Sequence, residues 1–415
     1  MKIIWIINEY AGAPEYGMEL RHYYLARQLV NKGFKVYIFT ASYSHLLRNS
    51  KNFRGIYQIE NIDGIKYIWI KTIKYKKAHD KKRFLKWLEF SAKLRFLPYF
   101  KVGKTLPKPD FIIASTPEIF HLIPAIQIAK KFKAKFIYEV RDIWPLSLIE
   151  IGKISQNHPI IRLMKKIEIK AYKEADLVIS LLPNFGKYLE DENINVEKLE
   201  IIPNGICLEE LQDTENLPED IEKLIPKNKF IVTYAGTFGE SNTLEYLIKA
   251  ANLLKNIKDI YFILIGKGEK EHGLKNLIRN LGLKNILFIP PISKKEVIPV
   301  LKKYADVCYI GWKRKKLYKY GISANKIFDY LYVEKPVLHS FSGGKETDII
   351  QQANCGISVE AENPKAIADG IMKLYKMSEE ERKKLGKNGK EYLLKYHTYD
   401  KLSKQLIEAL KEAIK

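Results

Sequence analysis

The sequence predicts an α/β protein of two doubly wound domains facing each other across a cleft, and three observations carry that expectation. The chain has 415 residues, 46% of them hydrophobic, which is too long for one ordinary core and too apolar for disorder. Short apolar runs rich in Ile, Val, Phe and Tyr alternate with amphipathic stretches, as βα units do. The rhythm breaks once, after Ile201-Ile-Pro-Asn-Gly205, in an acidic and weakly periodic stretch at 209–222 that contains Pro218, and then resumes.

Taken in order, 2–7 reads as the first strand, because Asn8 and Glu9 follow too soon for a signal peptide. A Gly/Pro loop over 10–17 leads to a helix expected at 18–31, then Gly33 and a strand at 35–41. Runs at 56–60 and 65–70 flank Asp63-Gly64, a hairpin signal. Strands follow at 111–115, 136–140 and 177–181, with helices around 119–132 and 159–173. After a linker at 204–228 the strands are 230–235, 261–265, 286–289, 307–310, 336–341 and 356–360, and three amphipathic helices from Pro364 close the chain. Strands this apolar imply parallel sheets covered on both faces. The domains are expected at 1–203 and 229–395, with 396–415 a final helix placed to pack back on the first.

The net charge is +23. Residues 1–202 hold 35 Lys+Arg against 20 Asp+Glu, or +15, and the remainder 36 against 28, or +8. Between Lys71 and Lys108 stand 13 basic residues and two acidic ones, Asp80 and Glu89. Such a segment attracts anionic lipid head groups, pyrophosphate or nucleic acid; no nucleic-acid reading motif accompanies it. Cys207, Cys308 and Cys355 are odd in number and far apart, which suits a reducing compartment and small buried apolar roles. No uninterrupted apolar run reaches the roughly 18 residues of a spanning helix. Asp-x-Asp, His-Glu-x-x-His, Cys-x-x-Cys and the phosphate-loop pattern are all absent, so dedicated metal chemistry and phosphoryl transfer lose support.

In open α/β sheets ligands bind outside the carboxyl ends of the strands, so the loops there are where chemistry is sought. Gly17, at the expected entrance of the first helix, allows an anion to approach backbone N–H groups, or simply makes an ordinary βα turn. In Tyr138-Glu-Val-Arg-Asp-Ile-Trp-Pro145 three charges crowd the end of an apolar strand. Arg141 can fork onto a sugar or phosphate oxygen while Asp142 and Glu139 accept hydroxyls or orient it; an internal ion pair steadying the loop is the alternative. Asn204-Gly205 reads as a hinge with ligand contact open. Gly236-Thr237 and Gly266-Lys267 follow successive strands of the second domain and form a candidate nucleotide cradle. The most specific segment is Tyr320-Gly-Ile-Ser-Ala-Asn-Lys-Ile-Phe-Asp329. Ser323 is expected to cap a helix whose first N–H groups, from Ala324, Asn325 and Lys326, face a ligand. A cation at Lys326 is misplaced at a helix N-terminus unless an anion sits beside it, and Asp329, one turn on, is placed for ribose hydroxyls. His121 is read as a helix histidine, with a catalytic role only a minor option.

These segments resemble glycosyltransferase family 4, whose fold is the GT-B pair of Rossmann-like domains, over essentially the whole chain. The pattern is closest to the WbuB-like N-acetylfucosamine transferases of polysaccharide biosynthesis, through Pro14-Glu15-Tyr16-Gly17, Val140 to Pro145 and Tyr320 to Tyr330. The resemblance implies a retaining, metal-independent transfer from a nucleotide sugar, a UDP-sugar favoured and no further cofactor, with the donor on the C-terminal domain and the acceptor on the N-terminal one. It implies catalytic roles for Arg141, Asp142 and Lys326, and donor contacts from the residues above together with Ile292. Of the family's two acidic residues eight positions apart, only Asp329 is present, the first position being Gly321; Glu240 stands where a basic residue commonly follows the Gly236 loop; Arg141 replaces a common histidine. Lys82, Arg83, Trp87, Lys93 and Arg95 mark a helix suited to an anionic membrane surface or a lipid-linked saccharide acceptor, or a domain helix with a solvated basic face. The expected location is cytoplasmic, on the inner face of the membrane. Two other readings remain at this stage, a nucleotide-sugar 2-epimerase of similar fold and a nucleic-acid-binding protein using 71–108, though no nucleic-acid partner is expected.

Overall fold

The computed structural model describes residues 1–17, 19–75, 80–101, 103–212 and 214–414, leaving aside the side chains of Tyr99, Phe100 and Asp220. Residue 18 of the expected first helix, 76–79 and 102 of the basic segment and 213 of the acidic stretch lie outside the described residues. The chain divides into two compact units, Met1–Asn204 with Tyr399–Lys415, and Gly205–Thr398.

Unit 1 holds β1 (Ile3–Ile7), β2 (Lys35–Ala41), β3 (Tyr57–Ile62), β4 (Ile65–Ile70), β5 (Phe111–Ser115), β6 (Lys135–Val140), β7 (Leu177–Ser180) and β8 (Leu199–Ile201). They form one sheet in the order β3-β4-β2-β1-β5-β6-β7-β8, parallel throughout except for the β3–β4 hairpin. Asp63 and Gly64 both take positive φ, 49° and 80°, as a two-residue hairpin loop demands, and they set Ile62 opposite Ile65. β8 is an addition to the expected strands; three half-buried residues give no periodicity to read. Helix α1 spans Arg21–Asn31, starting later than expected because Gly17 (φ 110°) and Glu19 (φ 69°) are both left-handed. Gly17 bridges to Leu47, and a Cβ there would lie 2.9 Å from Arg48 N, so this glycine serves a close strand contact and not a helix entrance. Helix α2 spans Lys82–Lys101.

Unit 2 holds β9 (Phe230–Ala235), β10 (Ile260–Ile265), β11 (Ile286–Ile289), β12 (Val307–Gly311), β13 (Val337–Ser340) and β14 (Gly356–Val359), all parallel in the order β11-β10-β9-β12-β13-β14. The order reverses between β9 and β12, which opens a ligand crevice in sheets of this kind. Helices α3 (Lys294–Tyr304) and α4 (Asn325–Tyr332) bear on that region. The stretch expected as the domain linker packs on unit 2: Ile206, Leu211, Leu217 and Ile225 enter its core, and Ile206 bridges to Thr398. Its acidic residues hid a widely spaced apolar set.

The last helix, Tyr399–Glu412, belongs to unit 1. The Tyr399 ring lies 4.8 Å from that of Tyr24, Gln405 donates to Ile201 O at 2.9 Å, and Leu402, Leu406 and Leu410 are buried. Leu406→Ala is expected to destabilise unit 1 by about 2–5 kcal/mol through the cavity it leaves; hydrogen exchange should show β8 losing protection while β9 keeps its own.

Candidate functional site

Lys326, the second residue of α4, turns back toward the end of β9. Its Nζ lies 2.9 Å from Tyr234 Oη and 2.5 Å from Asn242 Oδ1, 4.7 Å from the centre of the Tyr234 ring and 5.6 Å from that of Trp312. Among the described residues no carboxylate lies within ion-pair distance of it. Burial pushes the Lys326 ammonium down to about 7, against the two ring faces, which favour the cation. The Trp312 ring is held from behind: its Nε1 donates to His339 Nε2 at 3.0 Å, and His339 Nδ1 lies 2.9 Å from Asp348 Oδ1. Because His339 accepts at Nε2, its proton sits on Nδ1 and Asp348 fixes that tautomer. Trp312, His339 and Asp348 were not singled out in the sequence, where they stand far apart in no motif.

The surroundings revise several expectations. Helical geometry begins at Asn325 with Ala324 as N-cap and no side-chain cap; Ser323 lies one residue too early to cap. Asn325 is exposed. Asp329 is ion-paired, its Oδ1 2.9 Å from Lys294 Nζ at the start of α3, and Ile292 packs half-buried against the core of unit 2. The glycines of the two loops allow them to pack on each other. A Cβ on Gly266 would lie 2.0 Å from Gly236 O, and one on Gly268 2.4 Å from Phe238 O. The N–H groups of Gly236 and Gly266 bond to Ile265 O and Ile289 O and so extend the sheet ladder, leaving exposed Thr237 and Lys267 at the rim. Glu240 bonds both Lys270 and Lys313, which hold its carboxyl down to about 2.

In unit 1 the charged trio at the end of β6 separates. Glu139 is buried, with Arg21 Nε at 3.1 Å, His22 Nε2 at 2.7 Å and Ser115 Oγ at 2.6 Å. Burial alone would raise its pKa, but Arg21 and His22 hold it well below the carboxylate range. Arg21 also donates to Ile202 O at 2.8 Å, Pro203 O at 2.6 Å and Asn204 Oδ1 at 3.4 Å. Glu139 and Asn204 therefore belong to a buried node that ties α1 to residues 202–204, in which Glu139 is engaged by Arg21, His22 and Ser115, while its charge also favours the Arg141 cation. Arg141 pairs with Glu19, and Thr116 Oγ1 accepts from the N–H groups of Arg141 and Asp142 at 2.8 and 3.1 Å. The Asp142 side chain is exposed. Glu19, Arg21 and His22 carried no motif that could have marked them.

A second buried set pins α2: Lys86 Nζ lies 2.5 Å from Glu9 Oε2 with both side chains enclosed, and His121 bonds Glu118 beneath them. Burial, reinforced by Glu118 and opposed by Lys86, pushes the Glu9 carboxyl well up. The expected membrane or acceptor set splits by helical phase. Trp87 is buried, its Nε1 donating to Tyr10 Oη at 2.8 Å; Arg83 Nε donates to the same oxygen at 3.0 Å, and Lys93 bonds Glu89 at 2.6 Å. Lys82 and Arg95 are exposed, in company with Leu85, Leu88 and Phe96. Among the described residues no helix is long and apolar enough to cross a membrane, and no cluster of three or more His, Cys, Asp or Glu is placed to hold a metal ion.

Two family models match the chain, Glycosyltransferase Family 4 over residues 16–210 and Glycosyl transferases group 1 over 217–392. WcaI of Escherichia coli K12, which bears the name of a colanic acid biosynthesis glycosyl transferase, is 24% identical over 214 residues, 50% of this chain and 52% of that protein. The match thus spans about half the length of that relative. Sucrose-phosphate synthase from Thermosynechococcus elongatus superposes with a TM-score of 0.75 at 17% identity, covering 100% of this chain and 99% of that one. Anabaena HepE, solved in complex with UDP and glucose, superposes with a TM-score of 0.67 at 14% identity over 99% and 100%. The fold is GT-B.

Glu139→Gln should cost about 3–5 kcal/mol at pH 7, because Arg21 is left buried without its counter-charge. Since folding depresses the Glu139 pKa, its contribution is complete above the unfolded value near ~4.3 and is lost as pH falls toward the folded one. Urea titrations should find this part of the acid destabilisation missing in the variant; equal slopes below pH ~4 would contradict the assignment.

Proposed function

Because the chain belongs to glycosyltransferase family 4, we propose that it moves a sugar from a nucleoside diphosphate donor, a UDP-sugar, to a lipid-linked saccharide acceptor in surface polysaccharide or glycolipid synthesis, with retention of configuration and without a metal. The observation that carries this reading is Lys326, a buried lysine with no counter-ion among the described residues, held beside the strand reversal of unit 2. Departure of the nucleoside diphosphate builds negative charge, and a fixed cation stabilises it most as the bond breaks. Tyr234 and Asn242 hold Nζ in place, so little reorganisation is needed. Asp329, with Lys294, is assigned to the ribose, and Thr237 and Lys267 to the donor's rim. The name of WcaI supports the polysaccharide setting, and the UDP bound in HepE supports the nucleotide. Leu85, Leu88 and Phe96, alongside Lys82 and Arg95 on α2, support docking on an anionic membrane surface at the cytoplasmic side.

Lys326→Ala should lower kcat at least about tenfold, roughly 1.4 kcal/mol, with circular dichroism unchanged; wild-type turnover would remove the diphosphate role. The free amine titrates at about 7 and an anion favours its charged form, so UDP binding takes up a proton above that pH. UDP affinity is therefore expected to fall as pH rises from 7 to 9, by up to about tenfold per unit, and Lys326→Arg, which stays charged, should flatten the profile. Co-sedimentation with phosphatidylglycerol vesicles should be lost in Leu88→Glu/Phe96→Glu and weakened by salt; equal recovery with neutral vesicles would argue against the docking face.

A further inference from the structure

Two arginines of unit 1 are enclosed, and they are treated differently. Arg21 has acceptors for all three guanidinium nitrogens, namely Glu139, Ile202 O and Pro203 O. Arg141, whose side chain is only 11% exposed, has one: Nη2 pairs with Glu19, while Nε and Nη1 are enclosed with no acceptor among the described residues. A guanidinium stays charged at every physiological pH, so a buried arginine cannot relieve such a deficit by losing a proton. Leaving buried donors unmade is costly, and the same unit shows with Arg21 that it can supply acceptors where the fold requires them.

The position of Arg141 indicates what the deficit is for. It follows β6 at the carboxyl edge of the sheet, where parallel α/β sheets take ligands, and its backbone N–H is fixed on Thr116 Oγ1. A guanidinium presents two forks, Nε with Nη2 and Nη1 with Nη2. Glu19 engages only the shared nitrogen, so each fork keeps an open arm. Glu19 itself is a displaceable partner: it sits at φ 69°, a left-handed conformation that a glutamate adopts at a cost, and its side chain is 26% exposed.

We propose that Arg141 anchors an oxyanion carried by the glycan substrate, either the carboxylate of an acidic sugar or a phosphate, and that Glu19 occupies the anchor until the substrate displaces it. This inference rests on the glycosyl-transfer reading above and adds a charged substrate class to it. The ligand's paired oxygens take Nη2 together with one open arm, Nε or Nη1, and so complete one fork, and the released Glu19 carboxylate returns to water.

Calorimetry on the full chain distinguishes the two sources. UDP-glucuronate against UDP-glucose tests a carboxylate on the donor; geranyl diphosphate against geraniol, with UDP saturating, tests a phosphate on the acceptor. In one of these pairs the charged member is expected to bind at least about tenfold more tightly. Arg141→Met should abolish that preference while affinity for UDP alone stays within about twofold. Glu19→Gln, which removes the competing carboxylate, should increase it several-fold, a gain that a damaged fold does not produce. The assignment is overturned if the wild-type protein shows no charge preference in either pair, if the preference survives Arg141→Met, or if Glu19→Gln weakens it. Failure of UDP itself to bind would instead strike the donor reading, which separates the two conclusions.

Discussion

Parallel strand pairing is the constraint on which both units depend. A parallel strand cannot return to its neighbour by a tight turn, so each is followed by a crossover, and every strand of unit 2 releases the chain at the same edge. Tyr234 near the end of β9, Gly236 after it, Gly266 after β10 and Trp312 after β12 therefore come together from residues scattered along the sequence. Between β9 and β12 successive crossovers diverge, and the rings of Tyr234 and Trp312 border that gap with Lys326 between them. The same logic in unit 1 gathers Glu9, Thr116 and Arg141 from β1, β5 and β6.

Enclosing strands on both faces also makes every nearby charge expensive, and the chain answers in two ways. At Glu139 the charge is matched completely: Arg21, His22 and Ser115 surround it, and the same arginine grips the carbonyls of 202 and 203. Such a node specifies position, since removing either partner strands the other in a low dielectric. At Lys326 and Arg141 the matching is incomplete: among the described residues the lysine has no carboxylate and the guanidinium has one acceptor for three nitrogens. Both deficits stand at carboxyl edges. Unmet hydrogen-bonding capacity at these two cations lies at the edges where parallel α/β sheets take ligands.

The strands of both sheets were legible because buried parallel strands are short, apolar and separated by helical periodicity; β8 escaped because three residues carry no period. Helix limits were less legible. The start of α1 depends on left-handed backbone at Gly17 and Glu19, and that of α4 on Ala324 rather than Ser323, differences of dihedral angle that residue type only biases. Lys326 could be singled out because its charge opposes the helix dipole, a local conflict visible in one dimension. Its partners could not, for Trp312, His339 and Asp348 meet only after β12 and β13 pair. In the trio of Glu139, Arg141 and Asp142 the charges were evident, but their division into a buried node, a half-satisfied guanidinium and an exposed carboxylate follows from where β6 ends.

The two departures from the family pattern have separate physical explanations. Gly321, where the first acidic residue is common, has φ 101° and closes a turn onto Tyr318 O at 3.0 Å; a glutamate there would be strained whatever it bound. The backbone path into α4 thus excludes the acid. Glu240, where a basic residue is common, engages Lys270 and Lys313, and two lysines less one glutamate leave a local charge of +1, the value one basic residue would supply. The cations arrive from neighbouring segments, and Glu240 holds them. With the acidic position gone and the basic one distributed, the proposed recognition of the donor's phosphates rests on Lys326, whose Nζ has Tyr234 and Asn242 as partners and no carboxylate among the described residues.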